Sequence, residues 1–175
     1  MTALVVEAAG PGITLQDGGR HGYLRYGITA AGPMDPLMHA AANRAASNAL
    51  DATAVEIYTG GVTVRAERGA VGIAMVSRSF RIALDGAPLP DAVAVTLEPG
   101  QTLTVRAGTA GAGGYLAVRG RIDVAPVLGS TATHTRSGLG GLNGRGLAAG
   151  DRLPVAEARP GEVSPHRLIA PWLHR

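Results

Sequence analysis

The chain has 175 residues, of which 46% are hydrophobic, which suffices for one domain with an aliphatic core and is marginal for two. Its formal charge of +3 comes from scattered arginines without interleaved aromatic residues or any lysine, a pattern that argues against nucleic-acid binding. The chain contains no cysteine, which excludes disulfides and thiolate metal sites. The N-terminus lacks the pattern of a signal peptide, and the longest apolar run, residues 71–76, is too short to span a bilayer. We therefore expect a cytoplasmic protein without membrane contact.

The first elements in chain order are two strands, a loop and a helix. Alternating residues predict strands over residues 3–8 and 13–16, and the glycine-rich stretch 17–34 predicts a long loop. Asp35 followed by Pro36 is typical of a helix N-cap and first turn. Alanines at helical spacing then predict one main helix over about residues 36–47, with Leu37 on its apolar stripe.

Short alternating runs separated by turn residues follow this helix. They predict strands over residues 55–58, 62–65, 71–76, 80–84, 93–97, 103–106, 115–119 and 153–155. The regular spacing predicts a mainly β protein, either barrel or sandwich, and we favour a closed β-barrel because closure removes exposed strand edges. We expect this domain to span residues 1–156, and the Pro-rich tail 157–175 to be a linker or arm.

The first candidate site is the stretch L-Q-D-G-G-R-H-G-Y at residues 15–23. Asp17 can orient a basic group or a water, Arg20 can bind a carboxylate as a fork, and His21 can move a proton. The alternative is that Asp17 accepts backbone N–H bonds in a tight turn while Arg20 is solvated. Spacing alone favours this second interpretation.

A second polar stretch, residues 129–145, combines glycines and hydroxyls with Arg136 and Arg145, and can cradle a carboxylate or phosphate. It is not a P-loop, because that motif requires a lysine. The start of the helix is a third candidate, as an anion site that Asp35 partly caps. The five histidines show no metal-binding spacing, so we predict no metal site.

Six motifs occur together and in order: L-Q-D-G-G-R-H-G-Y, G-P-M-D-P, A-N-R-A-A-S-N, A-V-E-I, R-I-D-V-A-P-V-L-G-S and G-R-G-L-A-A-G-D. In this combination the chain resembles the N-terminal half of the KipA-like family. Members of this family are known as the C subunit of 5-oxoprolinase, as allophanate hydrolase subunit 2 or as biotin-dependent carboxyltransferase family proteins. The resemblance covers about residues 10–151 and implies a cyclophilin-like barrel, with a second barrel that is absent from this chain.

The resemblance implies a subunit of an ATP-dependent amidohydrolase, most simply a 5-oxoprolinase that opens 5-oxoproline to glutamate. Its partners would be a KipI-like protein (the B subunit of 5-oxoprolinase, also called allophanate hydrolase subunit 1) and a LamB/YcsF-like subunit, and it would be active only with them. Because the chain lacks a phosphate-binding motif, ATP would be shared with or bound by those partners.

Two other functions stay open under the same resemblance. One is the carboxyltransferase component of a urea carboxylase or allophanate-type system, with biotin on another domain because no lysine exists here to carry it. The other is a non-catalytic regulatory module that binds a KipI-like kinase inhibitor.

We expect the two polar loops to face one cleft that binds a small amide substrate. The catalytic candidates are Asp17 and His21, and the substrate-binding candidates are Arg20, Tyr23, Ser130, Arg136 and Arg145. The segment Ser77-Arg78-Ser79 departs from the small T-G-A-like segment usual in the family. If Arg78 points into the cleft, it changes the charge and space there.

Overall fold

The computed structural model describes residues 1–108 and 113–161 of the chain. Its strands are β1 (Ala3–Ala9), β2 (Ile13–Gln16), β3 (Ala54–Ile57), β4 (Val62–Glu67), β5 (Val71–Ser77), β6 (Arg81–Leu84), β7 (Ala87–Leu89), β8 (Ala92–Leu97), β9 (Thr102–Arg106), β10 (Gly114–Val118), β11 (Arg121–Ile122) and β12 (Arg152–Ala156). One helix, α1 (Pro36–Ala45), and two short 3₁₀ turns, Leu24–Tyr26 and Thr135–Ser137, complete the described elements. The mainly β class with one helix is confirmed.

The strands form two antiparallel sheets. The large sheet has the order β11-β12-β1-β4-β9-β6-β7, and the small sheet has the order β2-β3-β10-β5-β8. One aliphatic core contains buried side chains of both sheets, so the two sheets pack face to face. Alternation produces this core: in β4, Val62, Val64 and Ala66 are buried while the residues between them are half-exposed.

The small sheet is covered on its second face by α1. In β5, Ile73 and Met75 belong to the core between the sheets, whereas Ala74 and Val76 pack in a second cluster with Met38 of the helix. All seven residues of β5 are buried, which explains why this strand reads as a continuous apolar run. The site described below lies where the helix begins on this covered face.

The predicted closed barrel is wrong for the part of the chain that the structure describes. The chain turns the corner between β1 and β2 at Pro11-Gly12, and the two strands pair in different sheets. No described ladder joins the edge strands of either sheet. In the large sheet, β7 is three residues long and contains Pro88, and β11 is two residues long. Such short edges offer little for pairing with another chain, so closure is not needed to protect them.

The helix begins as predicted and ends two residues earlier. The Asp35 side chain accepts a hydrogen bond from the Met38 N–H at 3.0 Å, and Pro36 occupies the first turn. Ser47 adopts a left-handed φ of 60°, which terminates the helix before residue 47. The predicted stripe was wrong in one position, since the Leu37 side chain is 74% exposed.

The buried face of α1 instead carries two polar side chains. The Asn43 side-chain amide donates to the Ala52 carbonyl at 2.7 Å, and His39 packs edge-on against the Tyr115 ring at 5.4 Å between centroids. These polar contacts fix which side of the helix faces the sheet, because buried polar groups need partners.

All predicted strands occur, with ends shifted by at most two residues, and two short strands, β7 and β11, were missed. Of the predicted arm 157–175, residues 162–175 lie outside the described residues. The earlier part contacts the domain: the Arg159 carbonyl accepts the Gly72 N–H at 3.2 Å, and the Arg159 N–H donates to the Arg119 carbonyl at 3.0 Å. The domain boundary at 156 stays a prediction. No helix in the described ranges is long and apolar enough to cross a membrane.

Candidate functional site

The two polar loops singled out in the sequence are hydrogen-bonded to each other through Asp17. One carboxylate oxygen accepts from the Ser130 hydroxyl at 2.6 Å and from the Gly19 N–H at 2.9 Å, and the other accepts from the Thr131 N–H at 2.7 Å. Burial alone would raise the pKa of Asp17, but these hydrogen bonds outweigh it, and the pKa lies below its usual value. The carboxylate therefore holds its negative charge and joins residues 17–19 to residues 130–131.

Arg20 makes a second connection between the same loops. Its side chain is 1% exposed, and Nε donates to the Val127 carbonyl at 2.9 Å. Nη2 donates to the Ala132 carbonyl at 2.9 Å and to the Ser130 carbonyl at 3.3 Å. These contacts make Arg20 a buried bridge between the loops, and only Nη1 is left without a hydrogen bond among the described residues.

The other predicted site residues lie at the surface or are half-buried. His21 is exposed and contacts the Gly18 carbonyl at 2.9 Å, and Tyr23 is half-buried at the start of a 3₁₀ turn. Arg136 is exposed, and Arg145 forms a bidentate ion pair with Asp151 at 2.7 and 2.8 Å. The structure thus brings Asp17, Arg20 and Ser130 together but does not gather all the predicted residues around one ligand.

A small cavity opens beside the N-terminus of α1. Its volume is about 210 Å³, and its lining residues are Met34, Asp35, Met38, Glu56, Tyr58, Arg78, Gly113 and Tyr115. That space is large enough to hold a small metabolite. Two carboxyl groups, two phenols and a guanidinium border this space, which we name the helix-start cavity after its place beside α1.

Glu56 is the unusual residue of the helix-start cavity. It lies in β3, where Ala54, Val55 and Ile57 are also buried, and it is 6% exposed. Burial raises the pKa of Glu56 to about 7, although the backbone N–H of Met34 favours the carboxylate. A carboxyl group with this pKa can both accept and donate a proton near neutral pH, as general acid–base chemistry requires.

Tyr115 presents its hydroxyl beside this acid. The phenol oxygen accepts a hydrogen bond from the Asp35 N–H at 3.0 Å, which orients the group at the helix start. Burial raises the pKa of Tyr115 far above its usual value, so the phenol keeps its proton. A neutral phenol whose oxygen already accepts one hydrogen bond can donate its own hydrogen to a ligand carbonyl.

Residues of the first polar loop also hydrogen-bond the segment that leads into the helix. The Arg20 N–H donates to the Ala30 carbonyl at 2.6 Å, and the Gly32 N–H donates to the Gln16 side chain at 3.1 Å. Segment 30–34 leads directly to Met34 and Asp35 of the helix-start cavity. The bridge between the loops therefore positions the backbone of residues 30–34, which leads to the cavity.

Sequence reasoning missed Glu56, although the motif A-V-E-I was noted. A carboxylate inside an otherwise apolar strand is a usable signal, because isolated buried acids cluster at functional sites. The structure contains no group of three or more histidine, aspartate and glutamate side chains suited to a metal ion in residues 1–108 and 113–161.

Most of the chain matches one known domain family. The model of the carboxyltransferase domain, subdomain A and B, matches residues 26–173. The chain belongs to this carboxyltransferase-domain family.

Relatives of this domain include a 5-oxoprolinase subunit and a urea amidolyase. The chain is 38% identical over 156 residues to the C subunit of 5-oxoprolinase from Escherichia coli (strain K12), covering 89% of this chain and 50% of the relative. It is 37% identical to urea amidolyase of Saccharomyces cerevisiae, covering 87% of this chain and 8% of that protein. The predicted resemblance to the C subunit of 5-oxoprolinase is confirmed, and the chain spans at most about half the length of these relatives.

A solved relative shares the fold of this carboxyltransferase domain. The crystal structure of Kluyveromyces lactis urea carboxylase superposes with a TM-score of 0.82 at 31% identity, covering 93% of this chain and 15% of that chain. The fold is therefore that of the carboxyltransferase domain in that enzyme family.

The burial of Glu56 predicts a pH-dependent stability. Its pKa is 4.5 without burial and about 7 in the folded protein, so between these pH values the unfolded chain has lost a proton that the folded protein keeps. The free energy of unfolding should fall by about 3 kcal/mol as pH rises from 4.5 to 7, and then level off. Urea unfolding at pH 5 and pH 8 measures this fall, which Glu56→Gln should remove. An equal fall in the variant would contradict the assignment.

Proposed function

We propose that the carboxyltransferase domain forms the substrate-binding part of the C subunit of a 5-oxoprolinase and acts on a small lactam amide together with partner subunits. The observation that carries the proposal is the helix-start cavity, where a buried acid with a pKa near 7 lies beside a neutral phenol. The sequence identity to the C subunit of 5-oxoprolinase supports the choice of substrate class.

The chemistry of lactam opening matches these groups. Water adds to the carbonyl carbon, the C–N bond breaks, and the departing nitrogen takes up a proton, which yields glutamate from 5-oxoproline. Glu56 would accept the proton of the attacking water and return it to the nitrogen, while the Tyr115 hydroxyl would donate to the carbonyl oxygen.

ATP would activate the unreactive amide by transferring its γ-phosphoryl group to the amide oxygen, which releases ADP. After water has added and the C–N bond has broken, a second water would hydrolyse the resulting acyl phosphate to glutamate and inorganic phosphate. The chain has no lysine and no P-loop pattern, so the phosphate contacts would come from the partner subunits. We propose a KipI-like subunit and a LamB/YcsF-like subunit as those partners and the cytoplasm as the location. Two relatives are named as subunits, and the side chains of Met34 and Leu37 at the start of α1 are 70% and 74% exposed, as expected of a surface that a partner covers.

The polar loops enter this proposal as positioning elements. Asp17, Arg20 and Ser130 hold the backbone that leads to the helix-start cavity. His21 as a catalytic residue, and Tyr23, Arg136 and Arg145 as substrate-binding residues, stay predictions, because none of them lines the cavity.

The test is reconstitution. The chain is produced with the two partner subunits, and ATP-dependent formation of glutamate from 5-oxoproline is measured. We expect glutamate and ADP in equal amounts and none without ATP. A complete, stable assembly that makes no glutamate from 5-oxoproline would contradict the proposal.

A second candidate function is carboxyl transfer from biotin to an amide-like acceptor. The match to the carboxyltransferase-domain family and the relation to urea amidolyase favour it. Biotin would supply an activated carboxyl group from another domain, since this chain has no lysine to carry it. Activity that requires a biotinylated carrier would select this candidate, and tight binding of a KipI-like partner without turnover would select the regulatory module instead.

A further inference from the structure

We propose that Arg78 determines the specificity of the helix-start cavity. Its guanidinium makes the cavity select amide substrates that bear a carboxylate. The inference rests on the proposed function, because it takes the cavity as the substrate site.

The backbone holds Arg78 at the mouth of the cavity. The residue follows β5 directly, and its N–H donates to the carbonyl of Gly113, another lining residue, at 3.3 Å. Ser79 adopts a left-handed φ of 61°, which turns the chain immediately after Arg78. The main chain therefore fixes where the Arg78 side chain begins, and that side chain is 65% exposed.

The pairing of Arg78 is weak enough for a ligand to replace it. Its Nη2 lies 3.5 Å from Asp35 Oδ2, and the Arg78 side chain is 65% exposed. Exposed ion pairs of this kind contribute about 0–1 kcal/mol. A ligand carboxylate can bind a guanidinium in the stronger bidentate geometry.

The charges around the cavity make Arg78 necessary for the binding of an anionic substrate. Among the lining residues that the structure describes, Arg78 is the only cation, and Asp35 and Glu56 are both acids. An anionic substrate would face two carboxyl groups without any opposing charge if Arg78 were absent. A neutral amide would meet no such repulsion.

Two of the other candidate arginines are engaged elsewhere, and the third, Arg136, does not line the helix-start cavity. Arg20 donates to three backbone carbonyls away from this cavity, and Arg145 is paired with Asp151. Neither lines the helix-start cavity. The carboxylate-binding role that the sequence analysis gave to Arg20 is thus better fulfilled by Arg78.

The experiment compares 5-oxoproline with its carboxamide, which keeps the lactam ring but lacks the negative charge. In the assembled protein, Arg78→Met should raise the KM for 5-oxoproline about 10- to 100-fold, the loss expected for a charged hydrogen bond. The kcat should stay within about threefold, the KM for the carboxamide should not change, and Arg78→Lys should recover part of the loss. Arg81→Met, an exposed arginine on β6, is the matched control and should change neither constant.

Equilibrium binding by calorimetry separates this inference from the proposed function. Wild-type protein that prefers 5-oxoproline to its carboxamide, with the preference lost in Arg78→Met, supports the inference even when turnover is absent. An assembly that turns over 5-oxoproline but binds both ligands equally well overturns it. Equal weakening of both ligands by Arg78→Met also overturns it, since that result indicates a structural role.

Discussion

Glu56→Gln should reduce glutamate formation by the assembled protein about 10²- to 10⁴-fold, the contribution typical of a positioned general acid–base. Glutamine has nearly the same shape and fills the same site in β3, so the domain should fold. The substitution removes the proton-exchanging group without changing the packing against the helix start. The KM for 5-oxoproline should change little, because the carboxylate of the substrate is assigned to Arg78.

The pH profile distinguishes this role from a structural one. Wild-type turnover should show an ionisation near pH 7, matching the raised pKa of Glu56, and the residual activity of Glu56→Gln should lack it. Glu98→Gln changes an exposed glutamate outside the cavity and serves as the control. A Glu56→Gln protein with wild-type turnover would remove Glu56 from the mechanism.

Arg20→Met should lower the free energy of unfolding by about 2–4 kcal/mol. The variant loses three hydrogen bonds, and the Ala132 carbonyl is left without a described donor. The expected loss of stability is smaller than the sum for three hydrogen bonds. The Val127 carbonyl also accepts the Ser130 N–H, and the Ser130 carbonyl also accepts the Val127 N–H, so both keep a donor. Urea unfolding measures the change.

The matched control for this substitution is Arg136→Met. Arg136 is exposed, so its replacement should change the free energy of unfolding by less than about 0.5 kcal/mol. An Arg20→Met protein of unchanged stability whose affinity for 5-oxoproline collapses would instead establish Arg20 as a direct ligand of the substrate, as the sequence analysis expected.

Local patterns predicted most of the fold. The alternation in residues 62–65 and the pair Asp35-Pro36 each placed an element correctly, because period and capping are local properties. The absence of barrel closure and the exposure of Leu37 could not be predicted in this way. Both depend on how distant segments pack. Whether the sheets close depends on the corner at Pro11-Gly12, and the orientation of the helix depends on the partners of Asn43.

The candidate site was predicted only in part. Asp17, Arg20 and Ser130 were expected to share one place, and they do, but as a hydrogen-bonded bridge behind the cavity. Glu56 was missed because its burial arises from the helix that covers the outer face of the small sheet. The four residues of β3 do not by themselves indicate that a helix packs over this face of the sheet.

The bridge between the loops also sets an order for biosynthesis. Arg20 and its carbonyl partners are 107 to 112 residues apart, so the guanidinium leaves the ribosome long before those carbonyls exist. At roughly 5–20 residues per second, this interval lasts on the order of 5–20 s. During that time the glycine-rich loop lacks these partners, and its contacts with the second loop can form only after residues 127–132 have emerged.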